Sequence, residues 1–294
     1  MYRKLTFLLM MFFLMTCYTY AQWDDEDEKG NDKHHHKHSM NFRRIFDKPT
    51  IQIGYGLTKE NLDGFSDNFE NTSIAEIKLG YSGQWESWFG KKVLRYNYPY
   101  FTVGVISSDL DGRNKTNGYL QSTLWRFGFG REEGYTIKAG SVGILPYTSS
   151  QMMWSRLDMK QLPDSSNLTD SNHISLFNKS FRFGSSFDGG ISFQFSKLIS
   201  FQVEYERANI YQRHLFFINM ASGIIEAAGN EIINTFVGSI LRKEPLAGSI
   251  VNFILKGIYE FGISELRSKQ MNWPFGGEAC LNYHIVKAGF GFTF

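Results

Sequence analysis

Two sets of residues in this sequence have the types and spacing for chemistry, and the first is a histidine cluster near the amino-terminus. His34, His35, His36 and His38 come shortly after the acidic block Asp24–Glu28. Imidazoles and carboxylates are common ligands of divalent metals, so one hypothesis is metal capture by this segment. The alternative is a solvated linker, because clustered histidines bind metal weakly unless a fold fixes their geometry.

The second set consists of charged residues that alternate with apolar ones in several short segments. If these segments are strands of one narrow barrel, the charged side chains all point into its interior and pair there. The predicted interior charges are Glu76, Lys78, Arg126, Lys138, Arg182, Glu204, Glu206 and Lys287. A packed ion network is the first interpretation, and a polar permeation path or binding site is the second.

Acid–base catalysis would need a histidine near a nucleophile, and three histidines lie outside the cluster. They are His173, His214 and His284, and Ser171 and Ser175 lie close to His173. The sequence has no Gly-x-Ser-x-Gly, His-Glu-x-x-His or paired-cysteine motif. A Ser/His/acid site assembled across strands stays open as an alternative, since triads are recognised by geometry. We predict no catalytic residue and no cofactor.

Strands with a period of two must position the interior charges. Apolar residues at every second position, separated by polar residues or glycine, predict half-buried strands. Such runs occur around residues 51–57, 75–81, 101–105, 125–130, 135–140, 181–195, 199–206, 279–283 and 287–294. They predict an all-β fold, an antiparallel transmembrane β-barrel of about eight to ten strands. We expect a turn at Glu132–Gly134 and a long loop, suited to binding or plugging, at about Pro146–Asn178.

The segment between His214 and Lys269 departs from the strand pattern. Apolar residues recur there at helical spacing, and Pro245 separates two helices. We expect an inserted amphipathic helical hairpin at about residues 210–270 that plugs the lumen, lies across one opening or rests on the membrane surface. It should not span the bilayer, because charges such as Glu226 and Lys256 would each cost about 2.5 to 3.5 kcal/mol at its centre.

The last strand carries the most specific pattern in the sequence. Phe290, Phe292 and Phe294 fall on one face of the strand, while Lys287 and Gly289 fall on the other. A polar residue, a glycine two positions later, and aromatics at the third-from-last and last positions resemble the carboxy-terminal assembly signal of bacterial outer-membrane β-barrels. The resemblance implies that Lys287, Gly289, Phe292 and Phe294 are read by the barrel assembly machinery. It also implies location in the outer membrane of a Gram-negative cell.

The amino-terminus predicts a cleaved secretory signal peptide at residues 1–21. Arg3 and Lys4 precede an apolar run, and the small residue Ala21 closes the segment. A lipid-modified Cys17 is the alternative. The Ala-Gln junction and the short turns look like those of Bacteroidota barrels. Residues 22–48 then form a disordered acidic and histidine-rich tether, and residues 49–294 form the barrel with its helical insertion.

Composition agrees with a membrane barrel and disfavours nucleic-acid binding. Aromatic residues make up 16% of the chain, as expected for lipid-facing strands, and a mean hydropathy of −0.29 fits a polar interior. The net charge of +2 is too small for a partner bound through a basic field. We expect an integral outer-membrane protein surrounded by lipid. It would act as a narrow transport-associated pore, or as a structural anchor that joins an envelope partner through the hairpin. The alternative is a lipid- or peptide-hydrolysing barrel enzyme.

Overall fold

The computed structural model describes residues 48–65, 69–87, 90–113, 120–160, 168–213 and 215–294. The predicted signal peptide and the tether with His34, His35, His36 and His38 lie outside these ranges, as does His214. The metal hypothesis for the tether therefore stays a prediction.

Eight strands form a closed antiparallel barrel in which each strand pairs with its sequence neighbours. The strands are β1 (Lys48–Leu62), β2 (Thr72–Ser87), β3 (Gly90–Ser107), β4 (Ser122–Ala139), β5 (Val142–Met159), β6 (Phe181–Gln194), β7 (Ile199–Ile210) and β8 (Leu281–Thr293). This confirms the predicted fold class, with eight strands. Side chains alternate along each strand because the period of a strand is two, so one set lines the interior and the other the outer wall.

Pairing between the first and last strands closes the barrel. Thr50 is opposite Thr293 and Leu62 is opposite Leu281, with the intervening residues of β1 and β8 in continuous register. No sheet edge is left, so the backbone groups of the eight strands are paired within the ladder. This is the condition for crossing hydrocarbon, where an unpaired amide has no water to bond.

The two ends of the barrel differ in their connections. Lys48 and Thr293 lie at one end, here called the terminal end, where β2–β3, β4–β5 and β6–β7 are joined by short turns. The longer connections lie at the opposite end, here called the loop end. They carry all three described helices: α1 (Leu168–Ser175), α2 (Phe216–Lys243) and α3 (Pro245–Lys269).

The helices α2 and α3 form an antiparallel hairpin that lies on the outer wall of the barrel. Pro245 begins α3, where its missing N–H leaves no helical hydrogen bond unmade. Helix α3 contacts the outer faces of β3 to β7, and α2 packs against α3. The two helices occur where their periodicity predicts them. Of the three placements that the sequence leaves open, plugging the lumen and covering an opening do not occur, because α3 packs against the outer faces of the strands.

Two predicted breaks in the strands are wrong. Glu132–Gly134 is not a turn: β4 continues to Ala139, and the turn comes after it at Gly140, which has a φ of 64°. Gly134 serves close strand packing, since a Cβ there would lie 3.0 Å from the Cα of Tyr147. Similarly, the two short strands expected at the carboxy-terminus are one strand, β8.

The long loop expected at Pro146–Asn178 is strand over its first part, from Pro146 to Met159. β5 runs through this stretch to Met159, and its Ser149, Gln151 and Ser155 are buried in the barrel interior. The polar residues of this stretch therefore belong to the inward face of a strand and not to a loop. Met152 lies on the outer wall of the same strand and is half exposed.

Candidate functional site

The candidate site is the barrel interior, whose middle layer holds a buried ion network. Its cations are Lys78 on β2, Arg126 on β4 and Lys287 on β8, each at most 2% exposed. Five buried carboxylates surround them: Glu76, Glu132, Asp188, Glu204 and Glu206. Because β2, β4, β6, β7 and β8 all contribute, the network joins opposite walls of the barrel.

One half of the network is built around Arg126 and Lys287. Arg126 Nη1 lies 2.5 Å from Glu206 Oε1, and a second guanidinium nitrogen contacts Glu76. Lys287 Nζ lies 2.9 Å from Glu76, 2.9 Å from Glu204 and 2.7 Å from Glu206. Each carboxylate is therefore shared between cations, which is how charges removed from water are stabilised.

The other half is built around Lys78. Its Nζ lies 3.1 Å from Glu132, 3.5 Å from Asp188 and 3.2 Å from Glu204. Glu132 also accepts a hydrogen bond of 3.1 Å from Gln52. Glu204 contacts both Lys78 and Lys287, so it joins the two halves into one network.

A layer of tyrosines fills the interior toward the terminal end. Tyr96 donates a hydrogen bond to Glu132 at 3.3 Å, and Tyr147 donates one to Glu204 at 2.7 Å. Tyr100 and Ser149 pair through their hydroxyls at 2.7 Å. These rings are at most 6% exposed, so they pack the cross-section and hold the carboxylates at the same time.

The interior toward the loop end is mainly apolar, and it also holds the buried carboxyl of Glu60, which accepts a hydrogen bond of 2.6 Å from Ser122. Inward side chains from the loop-end halves of the strands form one buried cluster, which the end of the α1 segment completes with Ile174 and Phe177. Strand members of this cluster include Leu62, Ile74, Ile106, Leu124, Met153, Leu157, Ile210, Leu281 and Ile285. In the part of the chain that the structure describes, the lumen is thus filled by apolar, ionic and tyrosine layers in succession.

Two of the predicted interior charges lie outside the network. Lys138 is exposed near the end of β4, beyond the interior, because only Ala139 of the strand remains before the turn. Arg182 is the second residue of β6, at the loop end, and is half buried. Within the part of the chain that the structure describes, neither Lys138 nor Arg182 forms an ion pair.

Two members of the network were missed by reasoning from sequence. Glu132 was assigned to a turn, although it is six residues after Arg126 and therefore on the same face of a continuous strand. Asp188 is likewise six residues after Arg182, on the inward face of β6. The signal that identifies them is the unbroken alternation of inward and outward side chains along each strand.

The carboxy-terminal residues divide between the two faces of β8. Lys287 and Gly289 face the interior and are buried, whereas Phe290 is exposed on the outer wall and Phe294 just after the strand. Phe292 is partly exposed on that wall. Lys287 has a structural role in the ion network, and its role in an assembly signal stays a prediction.

The described histidines have no catalytic surroundings. His284 lies on the outer wall of β8, where its Nδ1 is 2.7 Å from the hydroxyl of Tyr205. His173 lies on the short helix α1 at the loop end. Among the described residues, the structure brings neither histidine together with a serine and a carboxylate, and no group of three potential ligands could hold a metal ion.

The fold is similar to that of two solved structures. One is Neisserial surface protein A, with a TM-score of 0.40 and 11% identity over 84% of this chain and 97% of that one. The other is Ail, the attachment invasion locus protein of Yersinia pestis, with a TM-score of 0.33 and 8% identity over 84% of this chain and 98% of that one. The likeness concerns the fold alone. No protein-family model matches the sequence, and no curated protein is similar to it.

Proposed function

We propose that the protein is an integral outer-membrane β-barrel of a Gram-negative bacterium that acts as a closed structural anchor and not as a pore. Its outer wall supports a membrane location. Ile53, Tyr55, Leu79, Phe129 and Phe290 are about half exposed on that wall, while the interior holds the charges. A wall of large apolar side chains around a polar interior is the pattern that a barrel needs in lipid and the reverse of what it needs in water.

The filled lumen is the observation that carries the anchor function. A conducting barrel needs a continuous polar path, and barrels of eight strands have room only for side chains. Here the ion network crosses the middle of the lumen, and the cluster around Leu124 and Ile285 closes it toward the loop end. Solute passage would require several buried ion pairs to open together.

The buried network also supports a rigid scaffold. Removing one partner of a buried ion pair leaves an uncompensated charge and costs about 3 to 5 kcal/mol, so the interior holds the strands in one register. A rigid barrel suits a protein that holds its loops or helices for a partner in the envelope. The predicted assembly signal and the predicted amino-terminal tether are consistent with such a role.

The enzyme alternative gains no support from the described histidines. His284 contacts Tyr205 on the outer wall, and His173 is on a surface helix. A hydrolase would need a nucleophile and a carboxylate beside one of them.

Fractionation and solute retention test the proposal. We expect the full protein in the outer-membrane fraction, with the heat-dependent gel mobility of a folded barrel. Vesicles that contain it should retain an entrapped small sugar as well as protein-free vesicles do. A folded protein that releases the sugar would contradict the anchor function, and recovery in the soluble periplasmic fraction would contradict the membrane location.

A further inference from the structure

The hairpin α2–α3 has its polar and apolar faces reversed relative to a water-soluble helix. The buried residues of α3 include Ser249, Asn252, Lys256, Glu260, Ser264 and Arg267. Its large apolar residues point away from the protein, with Ile250 at 51%, Ile254 at 49% and Ile258 at 68% exposure. On α2, Ile224, Ile232 and Phe236 are exposed by 56% or more. In water this arrangement would expose a large apolar patch and bury the polar groups.

The barrel wall beneath α3 is complementary to its polar face. Glu133 on the outer face of β4 lies 3.3 Å from Lys256 and 2.8 Å from Arg131. Nearer the loop end, Asn209 of β7 donates hydrogen bonds of 3.0 and 3.1 Å to Ser264. Without the helix, these charged and amide groups would face the same surroundings as the apolar wall.

Polar groups between the two helices are paired in the same way. Arg267 of α3 lies 2.5 Å from Glu226 of α2 and donates a hydrogen bond of 2.8 Å to Ser222. Asn230 of α2 donates to Glu260 of α3. Glu226, Lys256 and Glu260 therefore face protein, so their cost at mid-membrane does not apply to the outer surface. Glu231 of α2 is partly exposed and accepts a hydrogen bond from Asn234 of the same helix.

The dimensions of α3 match a membrane crossing. Ser264 lies beside Asn209, one residue from the loop-end limit of β7, whereas Lys256 lies beside Glu133, six residues from the terminal-end limit of β4. From Lys256 to Pro245 the helix continues toward the terminal end for about 16 Å. By length and composition, α3 is the helix of the described residues that could cross a membrane.

We propose that the hairpin α2–α3 lies in the bilayer beside the barrel, with lipid hydrocarbon covering its outer face. The inference rests on the proposed membrane location and goes beyond it. The hairpin enters at the loop end, and Arg242, Lys243 and Glu244 at its tip reach the headgroups of the terminal end. Exposed apolar residues of the hairpin then continue the apolar wall of the barrel, and charges lie at its ends.

A groove at the seam between helix and barrel fits the same occupant. It has a volume of about 330 Å³ and is lined by Phe253 of α3 and by Ile191, Phe193, Val203, Tyr205 and Val286 of the wall. A Cβ at Gly189 would face the rings of Phe253 and Phe261, so the absence of a side chain there leaves space for the groove. The groove is open and its exposed lining is almost entirely apolar, which suits a lipid acyl chain.

Spin labels test where the hairpin lies. Single cysteines at Ile232, Ile258 and Ile53 would be labelled in full-length protein carrying Cys17→Ser and Cys280→Ala, reconstituted in phospholipid vesicles. Collisions with oxygen should exceed those with a water-soluble nickel chelate at Ile232 and Ile258, as at the barrel-wall control Ile53. Labels at Lys243 and Lys269, at the two ends of the hairpin, should show the opposite preference.

The outcomes separate the two proposals. Nickel-dominated collisions at Ile232 and Ile258, with oxygen-dominated collisions at Ile53, would overturn the hairpin inference and leave the membrane barrel intact. Nickel-dominated collisions at Ile53 as well would overturn the membrane location itself. A membrane-impermeant maleimide should label Lys243→Cys and Lys269→Cys from opposite sides of the vesicle, and labelling of both from one side would overturn the crossing.

Discussion

Lys256 of α3 donates a hydrogen bond of 3.3 Å to Glu133 on the outer face of β4. An uncovered carboxylate on the outer wall of a membrane barrel would face lipid, which is unfavourable and most so at mid-membrane depth. The helix supplies the opposite charge, and Arg131 supplies a second one at 2.8 Å. The barrel wall and the hairpin are therefore complementary in charge at this contact.

The first prediction concerns this pair. Lys256→Met and Glu133→Gln should each weaken the docking of the hairpin, because each removes the ion pair between the helix and the barrel wall. In a double-mutant cycle, we expect a coupling energy of about 0.5 to 3 kcal/mol, measured by urea unfolding of the reconstituted protein. Lys269→Met, which changes an exposed residue of the same helix, is the control. Additive effects of the two substitutions would show that the pair does not hold the hairpin.

The second prediction concerns the interior network. Lys78→Met removes the cation shared by Glu132, Asp188 and Glu204 while keeping most of the side-chain volume. We expect a loss of about 3 to 5 kcal/mol in the free energy of unfolding, measured as a lower urea midpoint of the gel-mobility shift. Lys138→Met, the same change at an exposed position of β4, should be nearly neutral. Equal midpoints for the two variants would contradict the network's role.

The third prediction concerns a glycine that makes room for a tyrosine. A Cβ at Gly190 would lie 2.7 Å from the ring carbon Cζ of Tyr147 and 2.9 Å from Cβ of Glu204. Gly190→Ala should therefore destabilise the barrel by about 1 to 3 kcal/mol through overpacking. Gly54→Ala is the matched control, because its Cβ would meet no atom closer than 3.9 Å. Thermal unfolding of the two variants compares them, and a Gly190→Ala variant as stable as the control would refute the contact.

The fourth prediction concerns the buried thiol of Cys280. Burial raises the pKa of this thiol well above its usual range, and Sγ donates a hydrogen bond to the backbone oxygen of Arg267. The reactive thiolate is therefore scarce at pH 8 in the folded protein, whereas the unfolded chain has an ordinary thiol. In a Cys17→Ser background, maleimide should label Cys280 only after denaturation. Rapid labelling of the folded barrel would show that the segment before β8 opens.

The sequence predicts the barrel well because a strand's period of two is local and shows directly in residues such as Trp125, Phe127 and Phe129. Strand ends were less predictable. Glu132–Gly134 resembles a turn, and only the pairing of Gly134 with Tyr147 shows why the glycine is there. The polar residues of β5 resemble a loop in sequence for the same reason, since a polar interior and a polar loop have the same composition.

The position of the hairpin could not be predicted from the sequence. Its helices and the break at Pro245 are local features and appear where expected. Whether Lys256 and Glu260 face water, lumen or wall depends on Glu133 and Asn209, which lie on distant strands. Only the closed barrel brings these outer-wall residues into one stripe for α3.

Single-channel recording in planar bilayers tests the central claim most directly, because it asks whether the lumen is closed. The folded full-length protein should insert and give no discrete current steps, while a control barrel of known conductance gives them in the same membrane. Reproducible steps that disappear when the protein is heat-denatured would contradict a closed anchor and would make the network around Lys78 and Lys287 a permeation path.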